Sequence, residues 1–210
     1  MTTVLLHPCY FGPISQFAAL VQADKVIFEN EDNYQKQTYR NRMHIYGANG
    51  KLQLNIPIKH SGDKSQHQKY REVKIENDFQ WQKQHWKSLQ TVYRTSPFFE
   101  FYEDDFQPLY EKKYKFLLDF NYACMDLALE CLQKDLKYSK TEEFILEPKN
   151  VKNGRSLVQA KNTKEFELEP YPQVFQAKYG FINDLSIVDL IFNEGPNAPN
   201  YLENQELGSI

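Results

Sequence analysis

Val4-Leu5-Leu6-His7-Pro8-Cys9-Tyr10-Phe11-Gly12-Pro13 opens the chain, and Lys25-Val26-Ile27-Phe28 follows after one helical stretch. Val4 to Leu6 predicts a short buried strand, and Gly12-Pro13 punctuates the turn behind it. Ile14, Phe17, Ala18 and Val21 recur at helical spacing. Pro13 suits the first helical position, where its missing N–H costs nothing. Lys25 to Phe28 returns to strand, and a strand-helix-strand crossover of this length favours parallel pairing. Ligands bind at strand-to-helix turns of such folds, so the loop from His7 to Pro13 is the first place to seek a site.

Working outward, Tyr39 to Tyr46 and Leu52 to Ile58 flank Gly47-Ala48-Asn49-Gly50, which predicts a β-hairpin with Asn-Gly supplying positive φ. His60 to Gln68 reads as a polar loop and Val73 to Ile75 as a short strand. Asn77 or Asp78 is placed to cap a helix from Phe79 to about Tyr93. Phe98 to Glu103 is short and aromatic. One long helix is expected over Leu109 to Gln133, capped by Asp104-Asp105, with Cys124 and Cys131 on one buried face. Residues 137–165 are polar, with strand-like Phe144 to Leu146 and Leu157 to Gln159. A last helix lies within Phe181 to Glu194, stopped by Gly195-Pro196. The expectation is one α/β domain over residues 1–210. It has a Rossmann-like strand-helix-strand start, a β-hairpin and a helical C-terminal half.

The 210 residues carry 25 basic and 28 acidic side chains, a net charge of −3, which argues against binding DNA or an anionic membrane. Aromatic residues reach 15 %, a surplus that makes a homodimer plausible. Three cysteines in no short-range pattern do not suggest a disulfide framework. The N-terminus has no basic region before its short apolar run, and no stretch is long enough for a membrane span. A cytoplasmic protein is expected. The five histidines show no metal-ligand spacing. Phosphate-binding glycine loops and the nucleophile-elbow motif are missing too, so neither metal nor cofactor is expected.

Three constellations can carry chemistry. His7, Tyr10 and Gln16 surround the start of the first helix, whose free N–H groups suit a phosphate or carboxylate; the alternative is a turn shaped by prolines with a structural His7. Tyr39-Arg40-Asn41-Arg42 on a strand would put both guanidiniums on one face, able to grip an anion. The alternative is pairing with Glu29, Glu31 or Asp32. Asn55 and Lys59 on the partner strand complete either version. Trp81, His85 and Tyr93 share a helix, and His85 beside Trp81 is a candidate general base, or else core packing.

Phe11-Gly12-Pro13-Ile14 is similar to a turn of the nucleotidylyltransferases, but Gln16-Phe17 stands where their nucleotide-contacting histidine belongs. A match over nearly the whole chain is stronger. It combines the Pro8 to Pro13 loop, Ala23-Asp24, Tyr39 to Arg42, Asn55-Ile56-Pro57-Ile58, the Trp81/His85/Trp86 helix, Tyr93, Pro97-Phe98-Phe99 and Leu185 to Gly195. Together these resemble the WbqC-like protein family. Its members occur in bacterial gene clusters for O-antigen and other surface polysaccharides, some beside genes for acylated amino sugars. The resemblance implies an acyl- or aminoacyl-transferase acting on a nucleotide-linked amino sugar. His7 or His85 would be the base, with Arg40 and Arg42 on an anionic group and Tyr10, Trp81 and Tyr93 as the platform. A protein that only binds a nucleotide sugar or a pathway partner would use the same residues without catalysis.

Overall fold

The computed structural model describes residues 2–59, 68–161 and 166–208; most of the polar loop expected over His60 to Gln68 lies outside them. The opening folds as read. β1 (Thr3–Leu6) leads through a loop into α1 (Ile14–Val21) and on to β2 (Lys25–Phe28). β1 and β2 pair in parallel, Thr3 opposite Lys25 and Leu6 opposite Phe28. Leu6 and Phe28 are buried, as a parallel strand covered on both faces requires. Pro13 sits one position before the helix, in extended conformation.

The sheet is completed from the polar stretch. β5 (Tyr138–Lys140) joins β2 and β6 (Lys152–Asn153) joins β1, giving the parallel order β5-β2-β1-β6. The expected strands at Phe144 to Leu146 and Leu157 to Gln159 are not formed. Phe144 and Ile145 have no regular structure, and Leu157 lies in a 3-10 turn over Gly154–Val158. The true strands there are short and exposed, so they lack the alternation by which a strand is read.

β3 (Arg42–Gly47) and β4 (Gly50–Asn55) form the antiparallel hairpin, with Gly47 opposite Gly50. Positive φ falls on Gly50 alone (95°), not on Asn49 as well. The strand starts at Arg42, two residues after Arg40, so the two guanidiniums do not share a strand face.

α2 (Trp81–Tyr93) is preceded by Gln80 rather than by a capping Asn77 or Asp78. Asn77 instead donates through Nδ2 to the Tyr114 carbonyl (2.8 Å). The expected helix over Leu109 to Gln133 is two helices, α3 (Phe99–Glu111) and α4 (Leu117–Cys131). Asp104 and Asp105 lie inside α3. The break at 112–116 is held by backbone bonds: Ile75 N–H donates to the Lys115 carbonyl (3.0 Å) and Leu117 N–H to the Val73 carbonyl (2.9 Å). Those tertiary bonds override an apolar period that continues through Tyr114. Cys124 and Cys131 are both buried on α4.

α5 (Gln176–Tyr179) and α6 (Ile187–Glu194) follow, and α6 ends at Gly195 with φ 49°. A 3-10 turn and α7 (Ala198–Glu203), which the sequence reading did not anticipate, come next. One apolar cluster runs from Val4 to Leu207 and includes residues of every α-helix but α5. No described helix is long and apolar enough to cross a membrane.

The start of α1 is stitched to the start of α6. Asp184 accepts from the Ser15 amide and the Ser15 hydroxyl (both 2.8 Å), Ile14 N–H donates to the Leu185 carbonyl (2.9 Å), and Ile187 N–H to the Gly12 carbonyl (2.9 Å). Asp184 has φ 50°, which Asp and Asn tolerate better than alanine does. Asp184→Ala should therefore lower unfolding free energy by about 2 kcal/mol, from cap and backbone together. Asp184→Asn should cost less than half as much. Urea midpoints of the two variants check this, and equal losses would refute it.

Candidate functional site

β2 lies on one side of β1 and β6 on the other, so the β1–β6 boundary is where the sheet's order reverses. Open α/β sheets bind ligands in the crevice at the carboxyl ends of the strands flanking such a point. A cleft of about 300 Å³ lies there, lined by His7 just after β1, Asn153 at the end of β6, Arg155 and Ser156 beyond it, and Asp32 after β2. Phe144, Leu146 and Val158 add an apolar wall.

His7 is buried and held on both sides. Its carbonyl accepts from Gln16 Nε2 (2.8 Å), and a Cβ at Gly12 would stand 2.0 Å from Gln16 Oε1, so any side chain there would displace the Gln16 amide. The His7 ring forms a triangle with two charged groups. Nε2 lies 2.9 Å from Asp32 Oδ2 and 2.7 Å from Arg40 Nη2, which itself donates to Asp32 Oδ2 at 2.9 Å. One ring nitrogen cannot donate and accept at once, so all three edges cannot be hydrogen bonds together. A proton on Nε2 satisfies Asp32 and leaves Nδ1 with a lone pair, the arrangement in which a carboxylate orients a histidine base. Nδ1 has no partner among the described residues.

Arg40 is fully buried. Its guanidinium stacks 5.2 Å over the Tyr70 ring, and its carbonyl accepts from Asn121 Nδ2 (2.6 Å). Nε and Nη1 have no partner among the described residues. Burial, then Arg40, pushes His7 down from 6.5 to about 4 against the pull of Asp32. Asp32 is itself held below the usual carboxylate range: the hydrogen bond and charge of His7, and Arg40, outweigh its desolvation. Burial raises the neighbouring Cys9 thiol to about 12, so it is no ready nucleophile. Glu29, buried behind the cleft, meets Arg155 Nη1 (3.4 Å) and accepts from the Thr141 hydroxyl (2.7 Å).

The other residues singled out from sequence lie elsewhere. Tyr10 is in the core, its hydroxyl 3.0 Å from His85 Nδ1 and 3.0 Å from the Tyr110 hydroxyl. His85 packs edge-on against Trp81 (5.2 Å), and burial pushes it down to about 4. Neither lines the cleft, so the structure separates the two histidines. Tyr93 donates to Asp189 Oδ1 (2.6 Å), deep under α6. Tyr39 donates its amide to the Val158 carbonyl (2.7 Å), and its hydroxyl stands 3.5 Å from His44 Nδ1. Asn41 pins the hairpin through Nδ2 to the Ile56 carbonyl (3.0 Å). Arg42 and Asn55 face each other on β3 and β4, each hydrogen-bonded to Gln53. The start of α1, read as an anion site, is taken by the chain's own Asp184. Of the expected anion grip only Arg40 reaches the site, and Asp32, one of its three anticipated acidic partners, is the one it meets. Asn153, Arg155, Phe144 and Leu146 were missed; the turn signal Asn153-Gly154 was the one local hint.

The fold and cleft define an α/β protein with a candidate ligand site at the carboxyl edge of a parallel sheet. The chain belongs to the WbqC-like protein family, which matches residues 7–167. The cleft residues fall inside that span, and the Asp184 seam lies beyond it. The chain is also similar to the uncharacterized protein Rv1507c of Mycobacterium tuberculosis, 26 % identical over 216 residues, covering 89 % of this chain and 90 % of that one. No solved structure matches.

Burial of His7, His85 and Asp189 makes stability depend on pH. His7 and His85 drop from 6.5 to about 4 on folding, so below pH 6.5 the unfolded chain takes up protons the folded chain refuses. Stability then falls with acidification, each group withdrawing up to roughly 3 kcal/mol by pH 4. Asp189 opposes this: burial pushes it up to about 6, so the folded chain gains a proton first between pH 6 and 4. Asp189→Asn should therefore steepen the loss between pH 6 and 4.5, and His7→Gln should flatten it. Urea midpoints across that range test both, and an unchanged slope in either variant contradicts the assignment.

Proposed function

We propose that this chain is an acyl- or aminoacyl-transferase acting on a nucleotide-linked amino sugar in the cytoplasmic steps of bacterial surface-polysaccharide synthesis. The observation that carries the reading is the His7–Asp32 pair, 2.9 Å apart, lining a switch-point cleft, with Arg40 bonded to Asp32. The amine nitrogen of the sugar bonds to the acyl carbonyl carbon while the donor's ester or thioester bond breaks. His7 Nδ1 takes the amine proton and returns it to the departing alkoxide or thiolate. Phe144, Leu146 and Val158 suit the acyl portion, and Arg155, held by Glu29, lines the cleft beside them. Membership of the WbqC-like family supports the setting.

The weak basicity of His7 favours a second reading, a non-catalytic protein that holds the nucleotide sugar for a pathway partner. Turnover of a nucleotide-linked amino sugar with acyl donors separates the two. His7→Gln should lower kcat by about 10²- to 10⁴-fold with little change in KM, while nucleotide-sugar binding, read as a thermal shift, persists. Full turnover in His7→Gln overturns the catalytic reading. A wild-type shift without turnover, lost in Arg155→Ala, supports the binding protein.

A further inference from the structure

Four lysines line a second cleft of about 420 Å³ that shares no residue with the first: Lys59, Lys74, Lys113 and Lys115, beside Asn77 and Tyr114. The backbone forces them together. Lys59 N–H donates to the Lys74 carbonyl (2.8 Å), Ile75 N–H to the Lys115 carbonyl (3.0 Å), and Lys74 pairs with Phe116 in an antiparallel bridge. Three extended segments thus lie side by side, each bringing a lysine to the same cleft, and the connector between α3 and α4 adds Lys113. Like charges so placed repel. Glu76 meets Lys59 at 3.5 Å, and among the described residues no carboxylate pairs with Lys74, Lys113 or Lys115. The whole chain is acidic, with net charge −3, so composition alone does not produce this concentration.

We propose that this cleft binds an oligophosphate, a chain of two or more phosphate groups such as pyrophosphate or the diphosphate of a nucleotide. Lysine ammonium groups are compact charges that meet phosphate oxygens from any direction. A single carboxylate would leave most of the four unneutralised, whereas adjacent phosphates bring several charges into one cleft. The inference is independent of the transferase reading, since His7 takes no part in it.

Calorimetric titration of the full chain with pyrophosphate and with ADP, at about 0.15 M salt where non-specific attraction is screened beyond roughly 8 Å, tests it. Wild type should bind. Lys74→Glu/Lys115→Glu should weaken binding about tenfold or more. Lys74→Gln/Lys115→Gln should fall between, and it carries the test if the charge-reversed variant does not fold. Lys25→Glu/Lys178→Glu, on other surfaces, should bind as wild type does. ADP tighter than pyrophosphate assigns the site to a nucleotide, and equal or weaker ADP assigns it to the free oligophosphate; both support the proposal. Lack of binding by wild type, unchanged binding in both Lys74/Lys115 variants, or an equal loss in the Lys25/Lys178 control overturns it.

Discussion

An arginine shielded from water has to be matched, and Arg40 organises much of this molecule by that requirement. Its guanidinium meets Asp32 after β2, the His7 ring after β1 and the Tyr70 face, and its carbonyl reaches Asn121 on α4. Tyr70 in turn donates to the Pro8 carbonyl (2.7 Å) and accepts from Asn121 (2.5 Å). Segments far apart in sequence converge on one charge. Removing a single partner of a buried pair costs about 3–5 kcal/mol because the other charge stays behind uncompensated. The same convergence sets His7 at the cleft, so fold and candidate site rest on one cation.

A second polar cluster does comparable work beneath α6. Both Asp189 oxygens are taken, one by Tyr93 and the other by Tyr171 (2.6 Å each), and the Asn193 amide donates to the Asp189 carbonyl (2.7 Å). Burial raises the carboxyl of Asp189, and the tyrosine hydroxyls pull it back. The aromatic surplus of the composition is spent largely in this interior, where tyrosines carry an apolar ring and a hydroxyl with a fixed partner.

What could be read from the sequence divides along physical lines. The β1-α1-β2 opening and the hairpin were legible because apolar periodicity and turn residues are local signals. His7 at a strand end was legible for the same reason. The break between α3 and α4 was hidden, because the bonds that make it come from residues 73–75. Arg40 looked like half of an exposed pair with Arg42, since nothing in Tyr39-Arg40-Asn41-Arg42 reveals that the strand begins only at Arg42. His85 beside Trp81 read first as core packing and second as a base, and the partner that settles its place in the core, Tyr10, comes from a distant segment. Asn153 and Arg155 were out of reach because their role comes from a two-residue strand added at the sheet's edge.

The order in which the chain is made has a consequence of its own. Synthesis runs from the N-terminus, so β1 and β2 leave the ribosome long before β5 and β6 exist to cover their outer edges. The stitch at Asp184 and Leu185 that closes the start of α1 arrives later still. Through most of its synthesis the nascent chain therefore carries apolar parallel strands with open edges, a state prone to pairing with other chains. A chain that stops before residue 152 is left with an unfinished sheet, and one that stops before residue 184 has its sheet but not the stitch to α1.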